Sequence, residues 1–181
     1  MAVKTLFVVL SEPGYATIAT LLERFKLKEL AELACAGFVP LELFQALLSQ
    51  TSTGSVNAVA VYEITQVELA REGLRKLCRA CKDANSLIDD YLSTALYAVP
   101  LENPPDSIIN AACDVARYNL WDDGTLENDN VVKIRYREVI ERLHDIISGK
   151  LVLNLSNAPV SNGIQWTTST RLFSQDTLKE F

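Results

Sequence analysis

Apolar residues return every three to four positions along most of this chain and alternate only in short stretches, a pattern that predicts helices. The first helix reads from a cap at Thr17 to Phe25, with Leu21, Leu22 and Phe25 at helical spacing. A second, Leu27 to Cys35, repeats the pattern through Leu30, Leu33 and Ala34 and stops at Gly37. Pro40 suits the first turn of a third that runs through Leu48, since a proline there loses no needed hydrogen bond. From Gln50 the texture changes, and Val56, Ala58, Val59, Val61 and Ile64 read as a strand or hairpin arm.

Thr65-Gln66-Val67-Glu68 matches a capping box, so a long helix is expected from there to about Tyr97. Its apolar stripe is Leu74, Leu77, Cys78, Cys81, Ala84, Ile88, Tyr91 and Leu92, and Pro100 ends it. Asn103-Pro104-Pro105 makes a rigid turn. The next helix buries Ile108, Ile109, Ala112, Cys113, Ala116 and Leu120 and ends near Asp122-Asp123-Gly124. The last runs from about Asp129 to Ser148, with Val132, Tyr136, Val139, Ile140, Leu143 and Ile147 inward and Gly149 as the stop.

Beyond Gly149 helical periodicity vanishes. Leu151, Leu153 and Leu155 alternate with other residues, and Asn157 to Thr170 is a polar stretch with too little apolar area to hold itself. It nevertheless contains Trp166 and runs into Arg171, Leu172, Phe173, Leu178 and Phe181, apolar hooks that are costly to leave in water. Trp166, Arg171, Phe173, Leu178 and Phe181 are therefore expected to contact a partner, the arm ordering as it docks. The expected architecture is mainly α: a bundle over residues 1–149 with one long helix, a β insertion within 50–65, and an extended arm over 150–181. Residues 1–12 and 55–64 are candidates for a small sheet.

Composition narrows function mostly by exclusion. Hydrophobic residues are 49% and charged residues 22% of 181, enough for one folded domain. A net charge of -6 argues against a grip on nucleic acid, which needs a surplus of Lys and Arg on one face. Apolar runs fall short of a membrane span. Lys4 followed by Thr5 to Leu10 imitates the start of a secretory signal, but the stretch is short and no cleavage site follows, so an N-terminal strand is the reading.

Four cysteines, Cys35, Cys78, Cys81 and Cys113, do not have the paired spacing of a zinc site. Buried free thiols in a reducing compartment, with no metal and no cofactor, are expected. The single histidine, His144, falls on a regular amphipathic helix and reads as half exposed. Adjacent acids at Asp89-Asp90 and Asp122-Asp123 project in different directions and make poor acid-base partners, so no enzyme is expected. Asp114 and Arg117, three apart on one helix, would form either a structural lock or a solvated pair. Tyr118, Trp121 and Tyr136, at helical spacing, read as core aromatics.

Several short landmarks occur in order: Tyr15-Ala16-Thr17, Leu22-x-Arg24-Phe25, Asp83-Ala84-Asn85-x-x-Ile88-Asp89-x-Tyr91-Leu92, Tyr97-x-x-Pro100-Leu101, and Cys113 to Asp122. Arg135-Tyr136, Gly149-Lys150-Leu151-x-Leu153 and Arg171-Leu172-Phe173-Ser174 continue them. Over roughly residues 13–34 and 74–181 this series resembles the small structural proteins of Mu-like prophages, corresponding to gene product thirty-six of phage Mu. Residues 1–12 and much of 36–66 depart from it as additions.

The resemblance implies a helical head-to-tail adaptor in the virion neck, assembled in the host cytoplasm. It would form a ring, twelvefold in such adaptors, beneath the portal protein and above a neck or tail-completion protein, with DNA passing through unbound. No membrane partner is implied. Two rivals stand beside it. One is a host helical interaction module working through Phe173 and Phe181, which gene neighbours would reveal; the other is a small metal enzyme using Cys78 and Cys81, which metal analysis would reveal.

Overall fold

A computed structural model of the chain describes residues 14–53, 62–121 and 129–153. Six helices make up the regular structure among them: α1 (Ile18–Arg24), α2 (Leu27–Ala34), α3 (Leu41–Thr53), α4 (Ile64–Thr94), α5 (Asp106–Leu120) and α6 (Val131–Ile147). The fold is mainly α, and no strand occurs among the described residues. Residues 1–12 and most of 55–64, where a sheet was expected, lie outside them. Ile64 does not join a strand: it is the first residue of α4.

Local chemistry accounts for several boundaries. The Thr17 hydroxyl accepts from the Thr20 amide and the Thr20 hydroxyl accepts from the Thr17 amide, so α1 opens on a reciprocal box. Asn130 caps α6 through Val132. The box expected at Thr65 and Glu68 does not form, because α4 begins earlier and is capped by Glu63 without a side-chain bond. Tertiary packing decides that start. Val67, Ala70 and Leu74 are buried against Leu43, Phe44 and Leu47 of α3, which holds the first turn in helical register.

At 31 residues, α4 is about 46 Å long and serves as the spine. Helix α5 lies against α4, with α6 and α1 also packed on it, and buries Ile108, Ala111, Ala112, Cys113, Val115, Ala116 and Leu120 around nearly its whole girth. Small residues on both helices, Ala80, Cys81 and Ala84 on α4 and Ala112, Cys113 and Ala116 on α5, allow close approach of the axes. On α6 the inward stripe ends at Ile146, while Ile147, expected inside, is exposed. A 3.6-residue period carries the face from Leu143 by three residues at that point.

Helix α4 stops at Thr94, three residues before the expected end. The Leu96 amide donates to the Ser93 carbonyl and the Tyr97 amide to the Leu92 carbonyl, a Schellman closure with Leu92 and Tyr97 both buried beneath it. Leu96 therefore holds a φ of 64°, a place glycine usually takes. Leu96→Gly is expected to stabilise the protein by about 1 kcal/mol, read as a higher denaturation midpoint, because the left-handed conformation costs an L-residue about 1–2 kcal/mol.

The folded unit extends past the expected boundary at residue 149. Leu153 is buried, and its amide donates to the Tyr97 hydroxyl at 3.1 Å, with Leu151 packed alongside. Residues 150–153 thus belong to the bundle rather than to an arm. Alternating leucines were the visible signal, and the surface they meet is built by α4 and the turn after it.

Candidate functional site

Two polar clusters fasten the bundle, and both are built from the landmark residues. In the first, Asn85 of α4 grips the backbone of Ala16: its Oδ1 accepts from the Ala16 amide at 2.7 Å and its Nδ2 donates to the Ala16 carbonyl at 3.0 Å. Gly14 makes room for the amide, since a Cβ there would lie 2.2 Å from Asn85 Nδ2. One helical turn on, the Tyr15 hydroxyl donates to Asp89 at 2.6 Å and accepts from the Leu101 amide at 2.9 Å. Burial and the Asp89 carboxylate both push the Tyr15 phenol above its ordinary value of 10.0.

The leader into α1, the middle of α4 and the turn before α5 are thus pinned together by one tyrosine and one asparagine. Tyr15→Phe strands the Leu101 amide and is expected to cost about 1–3 kcal/mol in a denaturant titration.

In the second cluster, Asp114 of α5 is the one buried charged residue among those described. Its Oδ2 accepts from Arg24 Nη2 of α1 at 2.7 Å, and Arg135 of α6 stands 3.9 Å from Oδ1. Arg24 also donates to Asn110. Arg117 does not pair with Asp114 as its spacing suggested; it turns to Glu29 of α2 and lies over the Phe25 ring at 4.8 Å. Beside them Tyr118 stacks on Tyr136 with ring centroids 4.0 Å apart. One acid and its arginines therefore tie α1, α5 and α6, while Arg117 adds α2.

Burial raises the Asp114 carboxyl above its ordinary 3.8, against the pull of Arg24 and Arg135. Asp114 Oδ1, Arg24 Nε and Arg117 Nε are buried without hydrogen-bond partners, which marks the cluster as tense rather than saturated. The sequence exposed the acid and its neighbour but not Arg24, Glu29 or Arg135. The Leu22-x-Arg24-Phe25 and Arg135-Tyr136 landmarks were the available signal.

Of the aromatics read as core, Tyr118 and Tyr136 are half buried and Trp121 is exposed at 38%. The four thiols are free, with Cys78, Cys81 and Cys113 buried and Cys35 half buried. Burial pushes Cys78 up to about 11 and Cys81 up to about 12, from an ordinary 9.0. The unfolded chain ionises these thiols first, so their contribution to stability is expected to be full below pH 9 and to fall from there towards pH 12. Denaturation midpoints measured at pH 8 and pH 10.5 check this.

Among the described residues no group of three or more His, Cys, Asp or Glu is placed to hold a metal, and no helix is long and apolar enough to cross a membrane. His144 is exposed, its ring meeting Tyr91 edge-on at 5.3 Å. Asp89 binds Tyr15, whereas Asp122 and Asp123 lie outside the described residues. So do Trp166, Arg171, Phe173, Leu178 and Phe181.

A family model described as Bacteriophage Mu, Gp36 matches residues 15–165. No curated protein and no solved structure matches the chain. The match begins at the tyrosine of the first cluster and spans every side chain that bonds in either, and it covers most of the chain.

Proposed function

The chain belongs to the Bacteriophage Mu, Gp36 family and is a phage protein; we propose that it is a structural component of the virion, a non-enzymatic connector between head and tail. In this reading copies assemble as a ring, twelvefold as the family resemblance implies, beneath the portal protein and above a neck or tail-completion protein. The observation that carries it is the division of apolar residues along the chain. The helices satisfy one another in two clusters and Leu153 closes onto Tyr97. Beyond Leu153 the sequence sets Trp166, Phe173, Leu178 and Phe181 among polar residues, a spacing suited to reaching another surface.

The charge fits the same role. At -6 overall, a channel wall would repel the phosphate backbone and let DNA pass without holding it. Two clusters that pin five of the six helices would keep such a wedge rigid under load. Sedimentation of the purified protein, alone and mixed with its portal, tests the proposal. Ring-sized species or co-migration with portal is the expected result; a monomer that never joins portal would overturn it.

A further inference from the structure

Charge is sorted along the spine. Between Arg71 and Lys82, α4 carries Arg71, Arg75, Lys76, Arg79 and Lys82 against the single acid Glu72. From Asp83 to Asp106 the chain carries Asp83, Asp89, Asp90, Glu102 and Asp106 and no Lys, Arg or His. Arg71, Arg75, Arg79 and Lys82 recur at helical spacing, so they share one face of α4 over about 16 Å, and all four are exposed. Lys76 turns away to the Leu33 carbonyl, Glu72 is taken by Arg75, and Glu68, one turn earlier, is the other acid on that face. Arg71 and Arg79 pair with no acid among the described residues.

The acids gather at the far end of the same helix. The Tyr15 hydroxyl bonds both Asp89 and the Leu101 amide, which sets Glu102 beside the close of α4, and Asp106 opens α5 shortly after. Asp90, Glu102 and Asp106 are exposed. On the adjoining end of α6, where His144 meets Tyr91, Asp145 pairs with Lys150 at 3.3 Å, so those two charges cancel. We propose that the basic side of α4 receives the acidic α4–α5 end of a second copy. A closed ring needs two different surfaces on each copy, one for each neighbour, and a side and an end of opposite charge meet that need. The inference rests on the ring reading and names the surfaces that build the ring. Duplex DNA fits the basic side less well, since Glu68 and Glu72 stand among the bases and the chain as a whole carries -6.

The test is sedimentation of the full chain, alone and with portal, from about 0.1 to about 1 M salt, over which the screening length falls from roughly 10 to 3 Å. Association between copies is expected to fall as salt rises. Arg71→Glu with Arg79→Glu is expected to weaken it about tenfold, as is Asp90→Lys with Glu102→Lys. All four changes together are expected to restore it, because the two surfaces then match again with their signs exchanged. None of these four side chains makes a hydrogen bond or ion pair among the described residues, so unchanged thermal midpoints verify that the variants stay folded. Association indifferent to either reversal, or not restored in the quadruple variant, would overturn the proposal. A mobility shift of duplex DNA that the arginine reversal abolishes would overturn it too, by assigning the basic side to phosphates. Portal complexes that persist unchanged in both reversals sink it while leaving the connector reading intact; a chain that stays single and never joins portal sinks both.

Discussion

Asp114→Ala is expected to lose about 3 kcal/mol of folding stability, at the low end of the range for breaking a buried ion pair, because the Arg24 side chain keeps about a quarter of its exposure. The alanine removes the acceptor of Arg24 Nη2 and the negative charge facing Arg135, and it leaves three arginines converging with only Glu29 as counter-charge. Asp114→Asn keeps an oxygen for Arg24 and should cost less.

The two variants also separate from the parent through pH. Burial holds the Asp114 carboxyl above 3.8, so the folded state keeps its proton longer than the unfolded chain. The proton-linked part of its contribution is full at pH below 3.8 and is lost as pH rises through the raised value, while the ion pair to Arg24 remains; neither variant retains that slope. Urea titrations across the acid range measure both effects. A D114A protein as stable as the parent would mean that the arginines are held by packing alone.

Phe44→Ala is expected to cost about 3–5 kcal/mol, the loss typical of a fully buried phenylalanine. The damage should be local. Phe44 sits in the smaller cluster, with Leu43, Leu47, Val67, Ala70 and Leu74, separate from the core around α5. Helix α3 is held through Leu43, Phe44 and Leu47 alone among the buried residues of the smaller cluster, so losing the largest of them should let its amides exchange faster while those of α5 stay protected. A cooperative loss across all six helices would show instead that the clusters fold as one.

Much of this architecture could be read along the chain because helices are local objects. Apolar spacing placed the inward faces of α4 and α5, Thr17 announced the start of α1, and Gly149, at a φ of 73°, marked the close of α6. The same reasoning went astray where a distant surface decided. Thr65 and Glu68 had the residues for a box, yet burial of Val67 on α3 set the start of α4. Leu96 stands where glycine is the usual signal, so the end of α4 was hidden. Trp121 looked like core by spacing, but it stands 38% exposed.

The site was legible in part for the same reason. Asp114 and Arg117 stood out as a pair at helical distance, and the structure gives each a different partner on a different helix. A three-residue spacing brings two side chains near each other; it cannot say that an arginine 90 residues earlier offers a better bond.

By itself, then, the sequence determined which segments are helical, which faces turn inward and which family's landmarks the chain carries, since these depend on near-neighbour spacing and residue type. Tertiary structure alone decided that Tyr15 and Asn85 clasp the leader to α4, that Arg24 rather than Arg117 meets Asp114, and that Leu153 belongs to the bundle. Those contacts join residues far apart in the chain, and their energies depend on burial, which no stretch of sequence has until the helices pack.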